Sequence, residues 1–201
     1  MEAQPGNVPF KTPILRLFTQ AIAVPIPSEI IARAQAFAAQ VTPTSGTPGK
    51  GYQDTQQRNL AKIQHDHFVS KVGEEAAKQV WQRLDLPVTG PDYQVYVGAQ
   101  KSWAADLVVA GIPLAVKTQT QANAARYGLS WTFQSGTQRR DPILNQPEAW
   151  VCFVRFDVPR QACQVYPPYQ IRELHFGEPR LSHLRPYKRV VYAAQLPRLD
   201  P

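Results

Sequence analysis

Apolar residues fall at helical spacing between about Thr55 and Leu84, where Val69, Val72, Ala76, Val80 and Leu84 make one stripe. The stripe predicts a long helix, interrupted near Gly73, with those residues turned towards a core. At about 100° per residue, Glu74 shares its side with Ala77 and Trp81 and flanks the stripe, whereas Glu75 points away and reads as a surface charge. An Ala-rich helix is predicted from Ser28 to about Gln40, with Ser28 as its N-cap and Glu29 in the first turn. Between Asp106 and Gln119 the pattern changes. Two apolar runs flank Ala110-Gly111 and predict a β-hairpin. Alternation then puts Asp106, Val108 and Ala110 on one face of the first strand, and Ala115, Lys117 and Gln119 on one face of the second. With the turn at Ala110-Gly111 or Gly111-Ile112, Asp106 falls opposite Ala115 or Lys117, on the same side of the sheet.

Further strands are predicted over Tyr93 to Gly98, Leu129 to Gln134, Ala149 to Phe156 and Gln164 to Tyr166. Trp131 and Phe133 share a face, most simply a core face. Leu86 to Asp92 reads as a turn, and short helices are predicted after Asp141-Pro142 and from Ile171 to Phe176. Ile14 to Phe18 is a short strand or a helical turn. Residues 1–13 read as an irregular arm, Val41 to Gly51 as a loop containing Lys50, and about 178–201 as a basic tail. The 201 residues suffice for one domain with a real core.

Charge narrows the choice of partner. The chain carries 22 Lys and Arg against 15 Asp and Glu, a net charge of +7. That balance points to a polyanion, most simply nucleic acid, although many basic proteins bind nothing anionic. Cys152 and Cys163 form no Cys-x-x-Cys and no Cys/His cluster, so a zinc pattern is missing and both read as small buried hydrophobes. Their scarcity fits a reducing cytoplasm. The N-terminus has no signal-peptide pattern, and no apolar run is long enough to span a bilayer. His65 and His67, two apart on a helix, point in different directions and make no ligand pair. Gly-rich phosphate loops and Gly-x-Ser-x-Gly are absent from the sequence.

The hairpin is where chemistry concentrates. A carboxylate, an ammonium and an amide converge there, and a carboxylate can hold a hard divalent cation. With Glu74 upstream, the stretch resembles the PD-(D/E)xK nuclease superfamily. Its pattern is a helix acid (here Glu74), a strand Asp (Asp106), then an acid two residues before a lysine (Lys117), with Gln119 similar to a glutamine that some members carry. The literal Pro91-Asp92 is a second, less suitable candidate for the strand Asp. The resemblance covers the middle third of the chain. It implies an α/β restriction-endonuclease-like fold, a mixed sheet flanked by helices. The implied activity is magnesium-dependent hydrolysis of DNA, with manganese as a substitute cation.

In that reading Glu74, Asp106 and the Val116 carbonyl hold the metal, Lys117 orients water or stabilises the phosphorus, and Gln119 positions phosphate or solvent. Arg139, Arg140, Arg185, Lys188 and Arg189 would grip the DNA backbone, with a solvated basic loop and tail as the competing reading. A homodimer would suit symmetric double-strand cleavage. The chain departs from the pattern at Ala115, where the motif has its second acid, and no Asp or Glu follows before Asp141. No replacement acid is therefore expected close by. Three explanations stand: two carboxylates plus a carbonyl suffice, or catalysis is lost and DNA binding kept, or alanine replaces a native acid in a silenced enzyme. A structural ion pair between Lys117 and Asp106 is the simplest competing reading.

Overall fold

The computed structural model describes residues 15–45, 59–96, 105–137 and 140–199. The expected arm over 1–13, the Lys50 segment and Arg139 lie outside them. In chain order the elements are β1 (Ile22–Pro25), α1 (Ser28–Val41), α2 (Leu60–Arg83), β2 (Val88–Thr89), β3 (Leu107–Val109), β4 (Ile112–Thr120), α3 (Gln121–Tyr127), β5 (Ser130–Gln134), β6 (Trp150–Asp157), β7 (Ala162–Val165), β8 (Tyr169–Gln170) and β9 (Lys188–Tyr192).

The result is a mixed α/β protein. Its main sheet runs β1-β7-β6-β4-β3-β2, with β8 also on β6, while β5 and β9 form a separate two-stranded ribbon. β4 and β6 are parallel, and the other pairs are antiparallel. A parallel pair needs a crossover, and the segment carrying α3 and β5 supplies it.

Strict alternation along β4 and β6 splits their side chains between two cores. Leu114 and Val116 of β4, with Cys152, Val154 and Phe156 of β6, meet Val69, Val72, Ala76, Val80 and Trp81 of α2. On the opposite face Val151 and Phe153 meet Trp131, Phe133 and Val191 of the ribbon. Helices therefore cover one face, and the ribbon, not a further helical layer, covers the other. Trp131 stacks on Phe153 at 4.5 Å and its indole N–H donates to the Val154 carbonyl at 2.9 Å. Burial of each such aromatic contributes about 1.5–3 kcal/mol.

α2 runs through Gly73 without the expected break. The glycine is there for contact: a Cβ at Gly73 would lie 1.8 Å from Thr118 Oγ1 of β4. Asn59 caps α2, accepting from Lys62 N–H at 3.1 Å. Pro27, not Ser28, occupies the cap position of α1, and no side chain caps it.

Four other expectations change. Residues 93–96 are not a strand. Asp92 Oδ1 accepts from Gln94 N–H at 2.8 Å, a local turn that takes an amide a ladder would need. Glu75 is buried, not a surface charge, and is paired with Arg33 and Tyr93. The region expected as a basic tail carries β9, because Val190 and Val191, directly after Lys188 and Arg189, are buried. The helix expected after Ile171 is one short 3-10 turn, Ile171–Glu173. Among the described residues no helix is long and apolar enough to cross a membrane.

Candidate functional site

The hairpin turn sits at Ala110 (φ 48°) and Gly111 (φ 80°), both left-handed as a tight two-residue hairpin turn requires. Leu107 therefore faces Leu114 and Val109 faces Ile112. Continuing that register brings Asp106 beside Ala115. β3 ends there, and among the described residues no strand pairs with Ala115–Thr120 on that side, while β6 pairs with them on the other. The Asp106 carboxylate takes over: its Oδ2 accepts from Val116 N–H at 2.7 Å.

This open edge lets the two layers meet. Glu74 arrives from α2, next to the Gly73–Thr118 contact. Ala115 and Lys117 point towards the ribbon, where the Lys117 ammonium lies 4.9 Å from the centre of the Phe133 ring. Glu74, Asp106, Ala115 and Lys117 all line one cavity of about 590 Å³, together with Lys71, Asp92 and Asp141.

Electrostatics couples these groups. Burial, followed by the charge of Asp106, pushes the Glu74 carboxyl up to about 8. Lys71 Nζ at 2.6 Å and Ser70 Oγ at 3.1 Å pull it back only in part. Burial also raises Asp106, against the Val116 N–H and the charges of Lys117 and Lys71. The Lys71 ammonium is held between Glu74 and two rings, 5.1 Å from Phe37 and 5.6 Å from Tyr93.

Models of protein families, curated proteins and solved structures give no match to this chain. The geometry therefore carries the functional reading.

Glu74, Asp106 and Lys117 come together as their spacing anticipates. Two details differ. Lys117 pairs with Asp141 at 2.9 Å instead of with Asp106. An acid is thus present near the lysine after all: 24 residues downstream in sequence, it is returned by the turn after β5. Sequence distance hid it, and the only clue was that Asp141-Pro142 opens a short helical turn.

Gln119 has other work. Its Nε2 donates to the Gly128 carbonyl at 3.3 Å and its Oε1 accepts from Ser130 N–H at 2.9 Å, tying the start of β5 to β4. It does not line the cavity. Asp92 does, holding the Tyr96 hydroxyl at 2.5 Å. His67 lines the cavity as well, while His65 is exposed.

The expected DNA-gripping residues are spread over the ribbon side. Arg140 and Arg189 are exposed. Lys188 lies in β9 opposite Gln134. Arg185 is held by Glu178 at 3.5 Å and by the Pro179 carbonyl.

For a cation, the chemistry of the donors fits: the buried Glu74 carboxylate and the partly buried Asp106 carboxylate repel one another, and a hard dication favours oxygen and would offset that repulsion. The number of donors is small. Among the described residues no group of three or more His, Cys, Asp or Glu is arranged to hold a metal.

Proposed function

We propose that this chain is a divalent-cation-dependent endodeoxyribonuclease on a restriction-endonuclease-like core. One observation supports it above the rest. Glu74 of α2 and Asp106, the residue before β3, line one cavity, and Lys117 of β4 lines the same cavity. Glu74, Asp106 and the Val116 carbonyl are the groups that would hold magnesium or manganese. When bound, such an ion makes a coordinated water more acidic and steadies charge on phosphate. The chain's own residues do the rest. Asp106 is fixed by the Val116 amide. Lys117 presents a cation to phosphate or to the attacking water. Arg140 and Arg189 supply salt-dependent contacts to the DNA backbone.

The test is cleavage of plasmid and branched DNA with magnesium or manganese, using this chain beside Ala115→Glu. Cutting by the chain as it stands shows that two carboxylates suffice. Cutting only by Ala115→Glu identifies a silenced or decayed nuclease. If neither cuts, the nuclease reading fails. A second reading, a DNA-binding protein without catalysis, is favoured by the short set of donors among the described residues. It expects DNA binding without metal and no nicking at any metal concentration.

Lys71 gives a further expectation. Its ammonium already sits opposite Glu74, where it competes with any added cation. Lys71→Met should raise manganese affinity by about tenfold, equivalent to ~1.4 kcal/mol. A manganese titration followed by electron paramagnetic resonance reads this directly. Equal affinities in the two proteins would show that Lys71 does not compete.

A further inference from the structure

Asp141 is unusually well anchored for a surface-loop residue. Its backbone N–H donates to the Gln134 carbonyl at 2.9 Å, and its Oδ2 accepts from the Gln134 N–H at 3.2 Å. The carboxylate is therefore fixed to the last residue of β5 from both directions. The same Oδ2 receives the Lys117 ammonium at 2.9 Å. Both side chains are about a quarter exposed or less, at 25% for Lys117 and 21% for Asp141. Phe133, one residue from Gln134, supplies the ring face beneath the ammonium. A long, flexible lysine is thereby given one position, set by a carboxylate on one side and an aromatic face on the other.

We infer that Asp141 is the positioning residue for Lys117, supplying through the fold the negative charge that Ala115 omits two residues before the lysine. The inference rests on the nuclease reading for the reaction it serves. Its geometry is independent of that reading. Ala115 and Lys117 lie on one face of β4, so the motif's own acid would flank the lysine from within the strand. Here the flanking charge comes from the adjoining layer. Asp141 does not touch the phosphate in this scheme. It holds the group that does, and its own charge neither attracts nor binds DNA.

Two readouts test this on the full chain. The first is the acetylation rate of Lys117 by acetic anhydride, followed by mass spectrometry. It needs no catalytic activity. Asp141→Asn keeps an oxygen acceptor for the Gln134 amide but removes the charge, and should expose Lys117 to acetylation by about fivefold. Asp141→Glu should restore much of the protection. The second readout is cleavage kinetics with manganese. Asp141→Asn should lower kcat by about tenfold and leave KM within about twofold, as expected for a residue that acts through another. Adding Ala115→Glu to Asp141→Asn should recover kcat.

Unchanged acetylation of Lys117 in Asp141→Asn overturns the inference, whatever happens to cleavage. Faster acetylation with unchanged kcat overturns it also, because the pair would then be structural only. If no chain cuts DNA, Ala115→Glu included, the nuclease reading falls and the catalytic role of Asp141 falls with it. The acetylation rates then report separately on whether Asp141 holds Lys117.

Discussion

Gly73→Ala is expected to destabilise the protein by roughly 3 kcal/mol, the upper end for overpacking a core contact. An alanine in a helix interior normally gains about 1 kcal/mol over glycine. The sign reverses here because the new methyl would sit 1.8 Å from Thr118 Oγ1 and 2.9 Å from Thr118 Cβ and Cγ2. Neither partner can retreat cheaply. Thr118 is on β4, paired with β6, and α2 is held by its buried stripe. The Thr118 hydroxyl is buried with no hydrogen-bond partner, so deleting it removes an unmet polar group. Thr118→Ala should therefore be tolerated alone and should rescue most of the loss in Gly73→Ala. The Cβ contact at 2.9 Å remains, so rescue should be incomplete.

Urea unfolding of the four proteins measures this as a double-mutant cycle. Additive effects would mean that the contact does not hold the helix where it is. Function should follow stability in a specific way. Glu74 is the next residue on α2, so lifting the helix off β4 separates Glu74 from Asp106; on the proposed nuclease reading, cleavage should then fall more steeply than the folded fraction.

The second large effect is on pH. Glu74 in the folded protein holds its proton up to about 8, while its ordinary value is 4.5. The folded state therefore binds more protons than the unfolded state between those values. Stability is fully present below about 4.5 and declines as pH rises, until the slope ends above 8. Each pH unit in the window costs up to about 1.4 kcal/mol. Asp106, raised mainly by burial, adds to the loss in the same direction. Glu74→Gln copies the protonated acid and should flatten the slope, leaving the variant more stable than the native chain at pH 8. Manganese should raise the melting temperature more at pH 8 than at pH 6, because it competes with the proton for the same oxygens. A melting temperature that is flat from pH 5 to 8 in the native chain would remove the basis for this expectation.

The hairpin was legible because its alternation, its turn residues and the spacing from Asp106 to Lys117 are all local. α2 was legible from its stripe, and Glu74 from its angle to that stripe. A helical wheel puts Glu75 on the surface because it shows direction and not what lies there. Arg33 and Tyr93, from two other segments, make a buried place for it. Asp141 lies 24 residues from Lys117 along the chain, and only the fold brings the two together. β9 was hidden by basic residues, which dominate composition around the two valines that decide burial. Gln119 had the right spacing for a site residue, and its partners at Gly128 and Ser130 appear only once β5 is placed.

The attachment of the ribbon has a mechanical consequence. At the Ser130 end it is pegged to the main sheet by two directional bonds, Gln119 to Ser130 N–H and Trp131 Nε1 to Val154 O. Between the ends it rests on aromatic faces, which resist sliding much less than hydrogen bonds do. At the Gln134 end, among the described residues, the Lys117–Asp141 pair makes the bond across to β4. Arg140, the residue before Asp141, is tied back into the ribbon by its bridge to Ser135, as Asp141 is by its amide to the Gln134 carbonyl. The two ends therefore answer differently to salt: screening loosens the ion pair at the Gln134 end and leaves the neutral bonds at the Ser130 end as they are.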